Sequence, residues 1–178
     1  MQILVLSLTL FRILAAPFVF ISAVFLDHYW FAFWIFNFAA LTDFFDGKLA
    51  RDFGVESRLG AILDPIGDKL LVLFSIITVV ILIQDIYVAL MGALILGREF
   101  WVSALREFSS TNNISNATKV TFIAKVKTTL QFIALSMFFL GVAADFALVK
   151  FLASFTLLIA LLLALKSAID YTKNTLQI

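Results

Sequence analysis

Six apolar runs set what this chain can fold into, because each has about the twenty residues that a helix needs to cross a bilayer. They cover approximately 6–26, 30–50, 60–83, 86–108, 118–143 and 146–168. The breaks between them are short and polar: Asp27-His28-Tyr29, Arg51 to Leu59, Gln84-Asp85, Ser109 to Thr118, and Ala144-Asp145. Only 14% of the 178 residues are charged and 63% are hydrophobic, whereas a soluble domain carries about a quarter charged residues. The pattern predicts an all-α integral membrane protein of six transmembrane helices, forming a single domain over 1–178. No internal repeat, low-complexity linker or second domain interrupts it. The first run carries Arg12 and Pro17, lacks a basic leader and has no convincing cleavage site, so it reads as a retained span rather than a signal peptide. Cysteine is absent, which excludes disulfides and thiolate metal sites. The one histidine, His28, excludes a multi-histidine site and reads as an interfacial loop residue.

Against this apolar background, four aspartates stand close together. Asp43 and Asp46 are three apart, and Asp64 and Asp68 are four apart. On helices those spacings put each pair on one face, one turn apart. Two such helices side by side would bring four carboxylates into one cluster, which stays ionised only if cations fill it. Oxygen-only donors favour hard divalent ions, Mg²⁺, Mn²⁺ or Ca²⁺, over zinc or copper. Helix capping alone explains neither four acids nor this spacing. Gly47 and Ala50 clear a helix face next to the first pair, and Arg51 adds a planar donor fork suited to phosphate oxygens. Carboxylates, a phosphate-seeking arginine and a cleared wall together point to phosphoryl-transfer chemistry on a nucleotide-like substrate.

Charge is segregated along the chain. The breaks near 27, 84 and 145 carry Asp27, Asp85 and Asp145 with only Lys150 nearby, while most lysines and arginines flank the other helix ends. The positive-inside rule then places the aspartates, and both termini, at the cytoplasmic face. Lys119 and Lys173 read as residues snorkelling toward headgroups. Arg98 and Lys125 lie deeper and call for a buried anionic group, with Arg106 and Lys127 close by. Arg98 and Glu99 are sequence neighbours that point in different directions on a helix, so Glu99 alone is not expected to neutralise Arg98.

The spacing D-x2-D-G-x2-A-R-x8-G-x3-D-x3-D, from Asp43 through Gly60 to Asp68, resembles the signature of the CDP-alcohol phosphotransferase family, and every fixed position is present. Flanking stretches are similar to its phosphatidylglycerophosphate synthase branch: Leu8-Thr9-Leu10-Phe11-Arg12 with Pro17, Leu63-Asp64-Pro65, Arg98-Glu99-Phe100, Lys125-Val126-Lys127-Thr128, and Ser167 to Tyr171. The Pro-Asn that often precedes the first of these is missing, and Gly67 stands where alanine is common.

The resemblance implies six transmembrane helices with the active site at their cytoplasmic ends, in a homodimer of the inner (plasma) membrane. It implies transfer of a phosphatidyl group from CDP-diacylglycerol to sn-glycerol 3-phosphate. Asp43, Asp46, Asp64 and Asp68 would hold Mg²⁺ or Mn²⁺, with Asp68 also the general base. Gly47, Ala50, Arg51 and Gly60 would accommodate the cytidine nucleotide, and Arg98, Arg106, Lys125 and Lys127 the acceptor phosphate. Membrane lipids are expected partners and nucleic acid is not. Two alternatives stay open: another acceptor within the family (serine, inositol phosphate or a phospholipid), and a divalent-cation transporter. The second leaves Gly47, Ala50, Arg51 and Gly60 without a role and lacks the internal repeat common among transporters.

Overall fold

The computed structural model describes residues 2–53, 58–112 and 122–176, and the side chains of 2–5, 43–53, 58, 61 and 122–124 lie outside that description. Six helices follow in order: α1 (Gln2–Val24), α2 (Tyr29–Phe53), α3 (Arg58–Ile83), α4 (Ile86–Thr111), α5 (Phe122–Ala143) and α6 (Ala147–Leu176). No strand occurs among the described residues. Five of the helices contain a stretch long and apolar enough to cross a membrane, and Tyr29–Thr42 is the shorter apolar part of α2. At 25 residues, α2 as a whole is about 37 Å long.

The expected spans match the helices one for one, with one substantive difference. The apolar run ends at 168, yet α6 continues to Leu176. Its polar last two turns are held by α4, where Tyr171 and Thr175 are buried. Trp101 Nε1 donates to Thr172 Oγ1 at 3.0 Å, and Ser109 and Thr175 share a hydroxyl contact at 3.3 Å. Hydropathy marks the span and is blind to a helix carried past it by packing.

Three tight turns join α1 to α2, α3 to α4 and α5 to α6. Each contains a non-glycine residue in the left-handed region: Asp27 (φ 54°), Gln84 (φ 54°) and Asp145 (φ 46°). Asp85 then caps α4, accepting from the backbone N–H of Tyr87 at 2.7 Å and of Val88 at 3.3 Å. Because the connections are so short, all three turns lie at one end of the bundle. The first halves of α1, α3 and α5 and the second halves of α4 and α6 therefore gather at the other end.

α1 packs chiefly on α2 and α3, α5 on α6, and α4 on α6, while α2 also meets α5 and α3. Small residues line the closest approaches: Ala15, Ala16 and Ala23 of α1, Ala32 and Ala39 of α2, and Ala153, Ala160 and Ala164 of α6 are buried. In lipid, where apolar burial drives helices together only weakly, such close backbone approach is a main source of association. Phe36 fills the α2–α5 seam against Phe139, with ring centroids 5.2 Å apart. Ser136 Oγ donates to Asn37 Oδ1 at 2.8 Å across the same seam. Phe18, Phe25, Phe31, Phe38 and Phe155 are exposed on the outer surface, as expected of lipid-facing filling.

Candidate active site

Arg12 lies in the middle of an apolar helix and is fully buried. A guanidinium there requires a carboxylate, and α3 supplies one: Arg12 Nη1 donates to Asp68 Oδ1 at 2.5 Å. One turn earlier on both helices, Thr9 Oγ1 donates to Asp64 Oδ1 at 2.5 Å. Residues three apart on α1 thus meet residues four apart on α3, in register. Gly67 sits between the two acids at the α1 contact, with Arg12 Cδ and the Thr9 carbonyl facing it. Thr9 and Arg12 hold one pair of the predicted aspartates, a role the sequence reading did not assign to them. The signal was Arg12 itself, a charge in an apolar run whose helix carries no acidic residue.

The other predicted pair, Asp43 and Asp46, and the neighbouring Gly47, Ala50 and Arg51 belong to the last turns of α2. Their side chains fall outside the described residues. α2 and α3 do touch, which is the arrangement that convergence of the two pairs requires. Among the described residues no group of three or more ligating side chains occurs. Gly60 is buried in the first turn of α3.

A cavity of about 730 Å³ opens beside Asp68, between α3, α4 and α5. Lys69, Arg98, Arg106, Lys125 and Lys127 line it, against the two acids Asp68 and Glu99. The structure thus brings all four predicted phosphate-binding cations to one space with the predicted general base. Its remaining wall is largely apolar, including Leu73, Leu96, Val102 and Phe132.

The four cations do not stand alike. Arg98 is committed on three sides: Nε donates to the Ala164 carbonyl at 3.0 Å, Nη2 to Ser167 Oγ at 2.9 Å, and Nη1 to Glu99 Oε1 at 3.2 Å. The expectation that Arg98 and Glu99 point apart is corrected here, since the long arginine side chain reaches its neighbour's carboxylate across the helix surface. Lys127, buried to 5% exposure, also bonds Glu99 Oε1. Glu99 therefore ties α4 to α5 while Arg98 ties α4 to α6. Arg106 lies over the Tyr171 ring, 5.1 Å from its centroid, and donates to the Tyr171 hydroxyl at 2.9 Å. Lys125 is exposed. Arg106 and Lys125 keep the most reach for a ligand, whereas Arg98 and Lys127 are held in the wall.

Together these observations define a polytopic helical membrane protein with a polar, cation-rich site at one end, where two aspartates of α3 are braced by α1. Comparison with known proteins makes the class specific. The family model for CDP-alcohol phosphatidyltransferase matches residues 4–166, and the chain belongs to that family. It is 42% identical over 142 residues to a Cereibacter sphaeroides protein named CDP-diacylglycerol–glycerol-3-phosphate 3-phosphatidyltransferase, covering 78% of this chain and 63% of that relative. The Escherichia coli K12 protein of the same name is 41% identical over 132 residues, covering 72% of each chain. This chain therefore spans somewhat under two thirds of the length of the first relative.

Proposed function

We propose that this protein transfers the phosphatidyl group of CDP-diacylglycerol to sn-glycerol 3-phosphate, giving phosphatidylglycerophosphate and CMP. The observation that carries the reading is the single cavity in which Asp68 stands among Lys69, Arg98, Arg106, Lys125 and Lys127. A phosphate-bearing acceptor is what five cations against two acids favour, and serine offers them no such group. Arg106 and Lys125 receive the acceptor phosphate, with the wall charges of Arg98 and Lys127 behind them. Asp68 takes the proton from the attacking hydroxyl; its bond to Arg12 fixes the carboxylate where the acceptor arrives.

The carboxylates of α3 fit a hard divalent ion. Asp64 and Asp68 are carboxylates one turn apart on α3, held by α1, in a chain with no cysteine and one histidine, His28. With Asp43 and Asp46 they would hold Mg²⁺ or Mn²⁺, which when bound offsets charge on the diphosphate and on the departing CMP. Gly47, Ala50, Arg51 and Gly60 make room for the cytidine end. The protein works as one unit in a homodimer of the inner membrane, with the site facing the cytoplasm, where a CDP-linked donor is supplied. Purified protein given CDP-diacylglycerol and a panel of glycerol 3-phosphate, serine and inositol phosphate should release CMP with the first. Release should stop in EDTA and return with Mg²⁺ or Mn²⁺. Full activity after exhaustive chelation would remove the metal from the scheme, and turnover with serine alone would replace the acceptor.

A further inference from the structure

Glu99 is an acid in a cavity built of cations, and phosphate binding does not explain it. Its negative charge opposes a phosphate and occupies two of the cations that could bind one. The way it bonds is informative. Arg98 Nη1 and Lys127 Nζ both donate to the same oxygen, Oε1. A carboxylate serving only as a counter-ion has two oxygens to divide between two cations. Here Oε2 accepts from none of the described residues. Nor is that oxygen sealed away: it is absent from the enclosed polar atoms lacking a partner, the side chain is 25% exposed, and Glu99 lines the cavity. An ionised carboxylate oxygen is an acceptor only, so its natural ligand there is a hydroxyl or an N–H.

We infer that Glu99 is a specificity-determining residue whose Oε2 accepts a hydrogen bond from the non-reacting hydroxyl of the acceptor alcohol. The inference rests on the phosphatidyltransferase reading above and adds what that reading leaves open: how the site tells a polyol phosphate from a simple alcohol phosphate. sn-Glycerol 3-phosphate offers three groups, and the cavity has a match for each. Its phosphate meets Arg106 and Lys125, its reacting hydroxyl meets Asp68, and its middle hydroxyl meets Glu99. Arg98 and Lys127 both hold Oε1, so the other oxygen is presented without reorganisation. A second carboxylate, as on an amino-acid acceptor, would be repelled at this point.

The test compares CMP release from CDP-diacylglycerol with sn-glycerol 3-phosphate and with 3-hydroxypropyl phosphate, which keeps the phosphate and the reacting hydroxyl but lacks the middle one. For the wild-type protein kcat/KM should favour glycerol 3-phosphate roughly ten- to hundredfold, the range of a charge-assisted hydrogen bond. In Glu99→Ala the ratio of the two kcat/KM values should collapse to within about threefold, because any loss from freeing Arg98 and Lys127 falls on both acceptors alike. Glu99→Gln keeps the shape and a bond for Lys127 and serves if the alanine variant does not accumulate. Its preference should fall about fivefold or more, because a neutral acceptor is weaker. A purely structural role for Glu99 would lower both acceptors equally and leave their ratio unchanged, and that result overturns the inference. So does a wild-type protein that turns over both acceptors equally well. Absence of CMP release with glycerol 3-phosphate in the wild type is a different failure, because it removes the proposed reaction itself.

Discussion

At the scale of single residues, the cations of the cavity separate into two kinds that the sequence presented as one. Arg98 and Lys125 both read as deep charges awaiting an anion, yet Arg98 commits each of its three nitrogens to α6 or Glu99, and Lys125 is exposed. Arg98→Ala should therefore unseat α4 from α6 as well as weaken the site. Losing hydrogen bonds from a buried charged group costs about 1.5–3 kcal/mol, so its thermal midpoint in detergent should fall by several degrees. Lys125→Ala should leave the midpoint where it is and raise KM for glycerol 3-phosphate roughly ten-fold to a few hundred-fold, with CDP-diacylglycerol binding nearly intact. Thermal scans beside kinetics with both substrates check the contrast. A Lys125→Ala protein with unchanged acceptor kinetics would take that residue out of the site. Asp68→Asn, which keeps shape but loses charge, should fall mainly on kcat at saturating metal. Legibility at this scale followed charge in apolar runs: Asp64, Asp68, Arg98, Arg106, Lys125 and Lys127 were all visible because membrane burial leaves charge few excuses, whereas Arg12 was visible without its role as the brace of Asp68. Which charge binds which was not visible, because Thr9 and Asp64 are 55 residues apart and no spacing rule links two helices.

At the scale of helices, two glycines make opposite predictions. A Cβ at Gly67 would come no nearer than 3.4 Å to Ile13 Cγ1, an ordinary contact. Gly67→Ala should be neutral or stabilise by up to about 1 kcal/mol, since glycine costs that much in a helix interior. The departure from the family's usual alanine thus carries no steric requirement. A Cβ at Gly92 would fall 2.6 Å from Ile76 Cγ2, on a stiff β-branched side chain that is itself buried. Gly92→Ala should destabilise the α3–α4 pair by about 1–3 kcal/mol through overpacking. Pairing it with Ile76→Ala should recover part of that loss, so the double variant should melt higher than the two single losses combined would give. Strict additivity would mean the clash is relieved elsewhere. Nothing in the residue pattern tells these glycines apart. Periodicity reports that a helix exists, and only the neighbouring helix decides what its glycine is for. The same limit explains α6, whose last turns are fixed by Ser109, Trp101 and their partners rather than by hydropathy.

At the scale of the whole molecule, the fold makes one end basic and the other acidic. The three tight turns put Asp27, Asp85 and Asp145 together at one end, while Arg106, Lys125 and Lys127 are carried by helix halves at the other, with Arg98 at the midpoint of α4. The positive-inside rule predicts insertion with the basic end in the cytoplasm, and the proposed reaction requires that orientation for its CDP-linked donor. The chain contains no cysteine, so single cysteines can be introduced on a clean background. His28 and Asn112 are both exposed, one in the α1–α2 turn and the other at the end of α4. In sealed, right-side-out cells or vesicles, a membrane-impermeant maleimide should label His28→Cys and leave Asn112→Cys untouched until the membrane is opened. A Tyr87→Cys variant, in the first turn of α4 at the same end as His28, should behave as His28→Cys does. Agreement of two positions on different hairpins guards against one distorted turn. Labelling of Asn112→Cys in intact cells, with His28→Cys and Tyr87→Cys protected, would invert the molecule. The cavity would then open away from the nucleotide pool, and the proposed reaction could not proceed there.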